Sequence, residues 1–179
     1  MLAVSYANAS QPDSTFHIDT PHIIVLKDRF RSYPFSVIRL KYSIIHKIHY
    51  FLFQITDHDE CVNCVYNAIK AGYRAIDTAA SYGNEKATGE AIQKAINDGF
   101  VTREELFIIS KMWVQDMKNY ETAKKAITTS LNQLGLTYLD LYLEHQAMGN
   151  YFEAYRAMED AYKEGILKAI GVSNTCKFL

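Results

Sequence analysis

Four polar residues recur along the second part of the sequence at nearly constant intervals. Asp77, Lys111, His145 and Asn174 are separated by 34, 34 and 29 residues. Each lies near the end of a short apolar run, and a segment with helical periodicity separates one run from the next. Intervals of this length match one strand–helix–strand unit. The chain is therefore predicted to contain parallel strands that are joined and covered by helices.

Local signals from residue 54 onward predict where these elements begin and end. Asp57 and Glu60 form a plausible capping box for a helix that runs to about Ala71. Three further helices are predicted to end at glycine signals, namely Asp98-Gly99, Gly135 and Gly165. The predicted strands are "YRAIDTA", "LFIISKM", "YLDLYLEH" and "LKAIGVSN".

Both a doubly wound sheet and a (β/α) barrel are built from such units. A dinucleotide-binding doubly wound sheet carries a glycine fingerprint after its first strand, whereas the eight glycines of this chain include no G-x-G. In a barrel, the reactive groups come from the C-terminal ends of several strands. Asp77, Lys111 and His145 occupy that position on three successive strands, so we predict a barrel and disfavour a Rossmann dehydrogenase.

Charge and cysteine content exclude several classes of partner. The formal net charge of −1 gives no electrostatic reason to expect nucleic acid or an anionic membrane. No apolar run reaches the ~18 residues of a membrane span, and the N-terminus lacks the basic region of a signal peptide. Three cysteines cannot form a paired disulfide framework, so a cytoplasmic location is expected.

No metal site is predicted. Cys61 and Cys64 fall within a helical pattern and have no second ligand pair, so we interpret them as packing residues. His46 and His49 stand three residues apart with no carboxylate or cysteine beside them, and strand or surface histidines are the better interpretation.

The polar residues predict a proton donor for a carbonyl group. Tyr82 lies five residues after Asp77, in a Ser-Tyr-Gly-Asn turn. An ammonium such as Lys111 lowers the pKa of a nearby phenol, and a carboxylate such as Asp77 compensates a buried ammonium. His145 can donate a hydrogen bond to a substrate oxygen. Each residue alone has an ordinary structural explanation, but their equivalent positions on consecutive strands favour a shared site.

Several segments resemble one family in the correct order. "GYRAIDTAASYGNEKATGEAI" is similar to the signature of the aldo-keto reductases, and "LFIISKMW", "LGLTYLDLYLEHQ" and "AMEDAYKEGILKAIGVSN" are similar to further segments. The similarity is greatest to the 2,5-diketo-D-gluconate reductase-like group. It covers residues 54–174, about two thirds of the chain.

The resemblance implies an NADPH-dependent oxidoreductase on a TIM (β/α)8 barrel, which reduces an aldehyde or ketone to an alcohol. By motif, Tyr82 resembles the general acid of the family. Asp77 and Lys111 resemble the pair that tunes it, and His145 resembles the residue that orients the carbonyl group.

Further positions are carried over in the same way. Ser173 and Asn174 resemble the pair that hydrogen-bonds the nicotinamide carboxamide, so NADPH is the expected cofactor. Trp113, in a Lys-x-Trp motif, resembles a wall of the substrate pocket, although a packed or rim aromatic explains it equally well. The expected partner is a small carbonyl compound, and the expected oligomeric state is a monomer.

The chain departs from the family pattern in three places. Residues 1–52 are interpreted as a divergent N-terminal segment, with bulky residues at 48–52 where the family has a glycine-containing first strand. Residues 53–179 are expected to form a partial barrel that ends after strand five and lacks the last three strand–helix units. Glu144 replaces an apolar residue and, by strand alternation, should face the helix layer, away from His145.

The missing units lead to a second functional hypothesis. The family's contacts to the NADPH phosphate lie there, so weak or absent NADPH binding is expected. The alternative to an active reductase is therefore a catalytically inactive fragment or a non-catalytic interaction subunit.

Overall fold

The protein is described from a computed structural model, which covers residues 23–24, 49–52 and 55–173, with side chains described at 52 and 55–173. The strands are β1 Ile23–Ile24, β2 His49–Phe51, β3 Ala75–Asp77, β4 Phe107–Met112, β5 Leu141–Glu144 and β6 Ile170–Ser173. The α-helices are α1 His58–Lys70, α2 Glu85–Asn97, α3 Tyr120–Leu134 and α4 Tyr151–Lys163. Short 3-10 helices span Ala80–Tyr82, Arg103–Glu105 and Val114–Asp116.

The strands form one sheet in the order β1-β6-β5-β4-β3-β2. From β2 to β6, each strand pairs in parallel with the next one along the chain. A doubly wound sheet reverses its strand order at a switch point, whereas a barrel keeps the sequential order. The order seen here is that of a barrel segment. β1 pairs with β6 in the antiparallel direction, through Ile23 and Ile24.

Apolar side chains cover both faces of the sheet. The larger cluster lies between the sheet and the helices and includes Ile76, Ile108 and Tyr142. A smaller cluster on the opposite face consists of Ala75, Phe107, Ile109, Leu141 and Leu143. Strands that are buried on both faces read as continuous apolar runs, which is why these segments showed no alternation in the sequence.

The helix ends follow the predicted signals. The side chain of Asp57 accepts a hydrogen bond from the Glu60 amide at 2.8 Å, which caps α1. Gly135 follows α3 in the left-handed region, at φ 63°, where a side chain would be strained. The remaining two helices stop within one or two residues of Gly99 and Gly165, as expected.

The segment that departs from the family pattern nevertheless supplies a strand. β2 pairs in register with β3, from His49 opposite Ala75 to Phe51 opposite Asp77. Leu52, just beyond it, is fully buried, and its amide donates to the Asp77 carbonyl oxygen at 3.2 Å. The division of the chain at residue 52 stays a prediction.

Among the helices of the described residues, none has the length and apolar character that a membrane crossing requires.

Gly89 fixes the approach of α2 to the end of α3. A Cβ atom at this position would lie 2.3 Å from the carbonyl oxygen of Leu134, which is backbone and cannot rotate away. We therefore expect Gly89→Ala to lower the free energy of unfolding by about 1–3 kcal/mol, although alanine has the higher helix propensity.

Urea unfolding monitored by circular dichroism measures this effect. Gln93→Ala, at an exposed position of the same helix, is the matched control and should change stability by less than about 0.5 kcal/mol. Equal or higher stability of Gly89→Ala would contradict the close approach.

Candidate active site

A buried ion pair between Asp77 and Lys111 lies at the C-terminal end of the sheet. Asp77 ends β3 opposite Ile109, and Lys111 follows two residues later on β4. Alternation places both side chains on the inner face of the sheet. The ammonium of Lys111 donates to Asp77 Oδ1 and, at 3.0 Å, to the carbonyl oxygen of Thr78. The two residues are 1% and 4% exposed, so each charge depends on the other.

Tyr82 lies above this pair, at the end of the 3-10 helix Ala80–Tyr82. The Lys111 Nζ atom is 5.2 Å from the centroid of the Tyr82 ring. Burial first, and the negative charge of Asp77 second, raise the pKa of Tyr82 to about 12. The sequence predicted a lowered pKa for this phenol, whereas burial and the charge of Asp77 raise it in the structure.

His145 follows β5 directly and joins the same site. Its amide donates to the Met112 carbonyl oxygen at 3.0 Å, which ties the residue to β4. Its ring meets the rings of Tyr82 and Trp113 edge-on, at centroid distances of 5.5 and 5.3 Å. Burial and the charge of Lys111 lower the pKa of His145 to about 4, so the imidazole is neutral at neutral pH.

The structure thus brings Asp77, Tyr82, Lys111, His145 and Trp113 together. Ser173 ends β6 at the same edge of the sheet and is 4% exposed. Asn174, its predicted companion, lies outside the described residues. The roles carried over by resemblance stay predictions.

Two residues that the sequence analysis did not select support the site. The Ser81 hydroxyl lies 3.1 Å from His145 Nδ1. Asn84 accepts from the Thr78 hydroxyl at 2.7 Å and donates to the carbonyl oxygens of Leu52 and Ile55, each at 3.0 Å. Asn84 therefore holds the chain after β2 against the turn that carries Tyr82. The one available signal was their position on either side of Tyr82-Gly83 in the quoted turn.

Comparison with known proteins agrees with this arrangement. Residues 52–176 match the model of the Aldo/keto reductase family. The chain belongs to the aldo/keto reductase family. Membership accounts for the sequential parallel strands and for the order of the four motifs.

Several reductases and oxidoreductases align with the chain over similar lengths. The uncharacterized oxidoreductase YtbE of Bacillus subtilis is 54% identical over 124 residues, which cover 69% of this chain and 44% of the relative. The glyoxal reductase of Bacillus subtilis is 47% identical, with 69% and 43% covered. The chain thus spans less than half the length of these relatives.

A solved structure supports the fold. The Bombyx mori aldo-keto reductase AKR2E4, in complex with NADP, superposes with a TM-score of 0.65 at 38% identity, covering 70% of this chain and 45% of that protein. The prediction of a partial (β/α)8 barrel is confirmed.

Glu144 is the residue of this aldo/keto reductase whose environment is hardest to reconcile with its charge. It follows Leu143 of the inner cluster and shares the helix-facing side with Tyr142, as alternation predicted. Its side chain is fully buried, and neither carboxylate oxygen has a hydrogen-bond partner among the described residues. Burial raises the pKa of Glu144 from 4.5 to about 8, so the neutral acid prevails at neutral pH.

Removal of one member of the buried ion pair should destabilise the folded protein. We expect Lys111→Met to lower the free energy of unfolding by about 3–5 kcal/mol, because Asp77 would remain buried without its partner. The double variant Asp77→Asn/Lys111→Met should lose less free energy of unfolding than Lys111→Met and Asp77→Asn lose in sum.

Chemical denaturation of the four proteins measures this cycle. Lys163→Ala breaks an exposed pair with Asp160 (61% and 44% exposed side chains) and should cost less than about 1 kcal/mol. A Lys111→Met protein as stable as this control would contradict the assignment.

Glu144 should make the protein less stable as the pH rises. Between pH 4.5 and about 8, the folded state holds a proton that the unfolded state has lost. The contribution of Glu144 to the free energy of unfolding therefore falls by about 1.4 kcal/mol per pH unit in this window and levels off above it.

Unfolding curves of the wild type and of Glu144→Gln, recorded from about pH 5 to about pH 9, isolate this contribution, since glutamine is a neutral mimic of the protonated acid. Their difference also removes the effect of His145 and other titrating groups. Parallel curves for the two proteins would contradict a buried, protonated Glu144.

Proposed function

We propose that the chain catalyses the reduction of a small aldehyde or ketone to an alcohol, with NADPH as the reductant and Tyr82 as the general acid. The observation that carries the proposal is the contact of Tyr82 with both the buried Asp77–Lys111 pair and the ring of His145. A neutral phenol and a neutral imidazole beside one another are two hydrogen-bond donors suited to a single carbonyl oxygen.

Family relatives support the substrate class. Two of them are named for the reduction of small dicarbonyl compounds, the glyoxal reductase of Bacillus subtilis and the methylglyoxal reductase DkgA of Escherichia coli. The latter is 42% identical over 120 residues, covering 65% of this chain and 41% of the relative. Glyoxal and methylglyoxal are therefore the first substrates to test.

The available residues suit the nicotinamide end of the cofactor. Ser173 places a hydroxyl, which can donate and accept, at the C-terminal edge of the sheet, and a carboxamide needs both kinds of partner. When bound, NADPH would supply a hydride to the carbonyl carbon. We propose Ser173 and Asn174 as the residues that hold the carboxamide.

The residues of the chain would manage the proton. His145 would orient the carbonyl oxygen by donating a hydrogen bond, and Tyr82 would give its phenolic proton to the oxygen as negative charge develops there. An alkoxide is about as basic as hydroxide and is therefore a much stronger base than a phenolate, so even a phenol whose pKa is raised to about 12 transfers its proton downhill. The phenolate then regains a proton from water.

The Asp77–Lys111 pair would keep this donor in place. Its ammonium lies beneath the Tyr82 ring, where it can stabilise the transient phenolate, and Asp77 keeps the ammonium charged although it is buried. Trp113, packed against His145, would form a wall of the substrate pocket.

An NADPH oxidation assay with glyoxal or methylglyoxal tests the proposal. Tyr82→Phe should lower kcat/KM by about 10²–10⁴-fold, because phenylalanine keeps the ring but has no proton to give. Tyr66→Phe, whose hydroxyl binds Asp98 on the surface, is the matched control and should retain activity.

Cofactor binding must be measured separately, by fluorescence titration with NADPH. A folded wild-type protein that binds NADPH but oxidises none in the presence of the carbonyl compounds would overturn the proposed activity. It would then support the non-catalytic alternative.

A further inference from the structure

The Ser81–His145 contact joins two parts of the site that are 64 residues apart in the chain. Ser81 lies in the middle of the 3-10 helix Ala80–Tyr82, and its Oγ is 3.1 Å from Nδ1 of His145. The contact is direct, and Ser81 lies on the same short helix as Tyr82, the proposed general acid. The function proposed above assigns Ser81 no role.

We propose that Ser81 is a positioning residue, whose hydroxyl donates to Nδ1 of His145 and thereby keeps the imidazole proton on Nε2. The proposal rests on the proposed function for its catalytic consequence. Its structural content, the identity of the protonated ring nitrogen, can be measured without any assay of activity.

The role proposed for His145 selects the direction of this hydrogen bond. A neutral ring has one N–H donor and one acceptor nitrogen, and the partner of one nitrogen fixes the tautomer at the other. A carbonyl oxygen only accepts, so a histidine that orients it must present an N–H group. With the Ser81 hydroxyl donating to Nδ1, that group is Nε2–H.

The surroundings of His145 hold its backbone and the orientation of its ring, and the proposal concerns the tautomer of that ring. The backbone amide is tied to Met112, and the ring is held edge-on by Tyr82 and Trp113. Burial and the charge of Lys111 lower the pKa of His145, which removes the doubly protonated form at neutral pH. The hydroxyl of Ser81 then selects between the two neutral forms.

A serine hydrogen-bonded to a histidine is also the arrangement of a nucleophile and its base. A base that activates serine should have a pKa near the working pH. The lowered pKa makes His145 a weak base, and the site already places a lysine charge beside the ring that disfavours proton uptake. Positioning is therefore the interpretation that this environment supports.

Nuclear magnetic resonance distinguishes the tautomers directly. Long-range proton–nitrogen correlation spectra of the protein, with His145→Gln used to assign the signal among the six histidines, report which ring nitrogen carries the proton. We expect Nε2 to be protonated and Nδ1 to be an acceptor. A wild-type spectrum with the proton on Nδ1 would overturn the proposal.

Substitution of Ser81 tests whether its hydroxyl sets the tautomer of His145. In Ser81→Ala, the Nδ1 resonance should shift towards that of a nitrogen without a donor, and the pKa of His145 should rise because the neutral form loses a hydrogen bond. Ser81→Thr, which keeps the hydroxyl, should restore the wild-type spectrum. Identical spectra and titration curves for Ser81→Ala and the wild type would refute the assignment.

Kinetics then test the catalytic consequence. Ser81→Ala should lower kcat for glyoxal reduction by about tenfold to a hundredfold, with rescue by Ser81→Thr. Thr128→Ala, which removes an exposed hydroxyl bonded to the Lys124 carbonyl oxygen, should leave kcat unchanged. An altered spectrum with unchanged kcat would refute the positioning role, whereas an inactive wild type would refute the proposed function and leave the tautomer result intact.

Discussion

The ion pair between Asp77 and Lys111 is the constraint on which the site depends. An ammonium that is 4% exposed is tolerable only beside a carboxylate, so β3 and β4 must adopt a register that brings these two side chains to one face. Tyr82 and His145 are then placed against this ion pair, inside a partly buried site. This explains why burial dominates their pKa values and moves the phenol upward and the imidazole downward.

Most of the fold could be predicted because its signals are local. The capping side chain of Asp57 and the left-handed Gly135 act within a few residues; Asp57 begins one helix and Gly135 ends another where the sequence indicated. The ends of parallel strands share one edge of a sheet, so the spacing of Asp77, Lys111 and His145 predicted that they would meet. The register of β2 beside β3 was less accessible, since its residues lack the family's glycines.

What the sequence did not reveal depends on distant contacts and on burial. Ser81 and His145 meet only because a 3-10 helix lifts the serine over the end of β5, and a serine beside a glycine-containing turn is common in any fold. The direction of the Tyr82 pKa shift depends on the burial of the phenol and on its approach to Asp77, which only the folded structure shows. Asn84 joins two segments through three side-chain hydrogen bonds, but its sequence position indicates only a turn.

Glu144 and His145 show how strand alternation sends two consecutive ionisable side chains to opposite sides of the sheet. The consecutive side chains face the helix layer and the site, respectively, and burial makes both of them neutral at neutral pH. In the proposed function, with the Asp77–Lys111 charges paired, the site would offer a carbonyl group mainly neutral donors, the Tyr82 hydroxyl and an imidazole N–H. Such donors would strengthen their hydrogen bonds as charge develops on oxygen, and this would favour the transition state over the bound substrate.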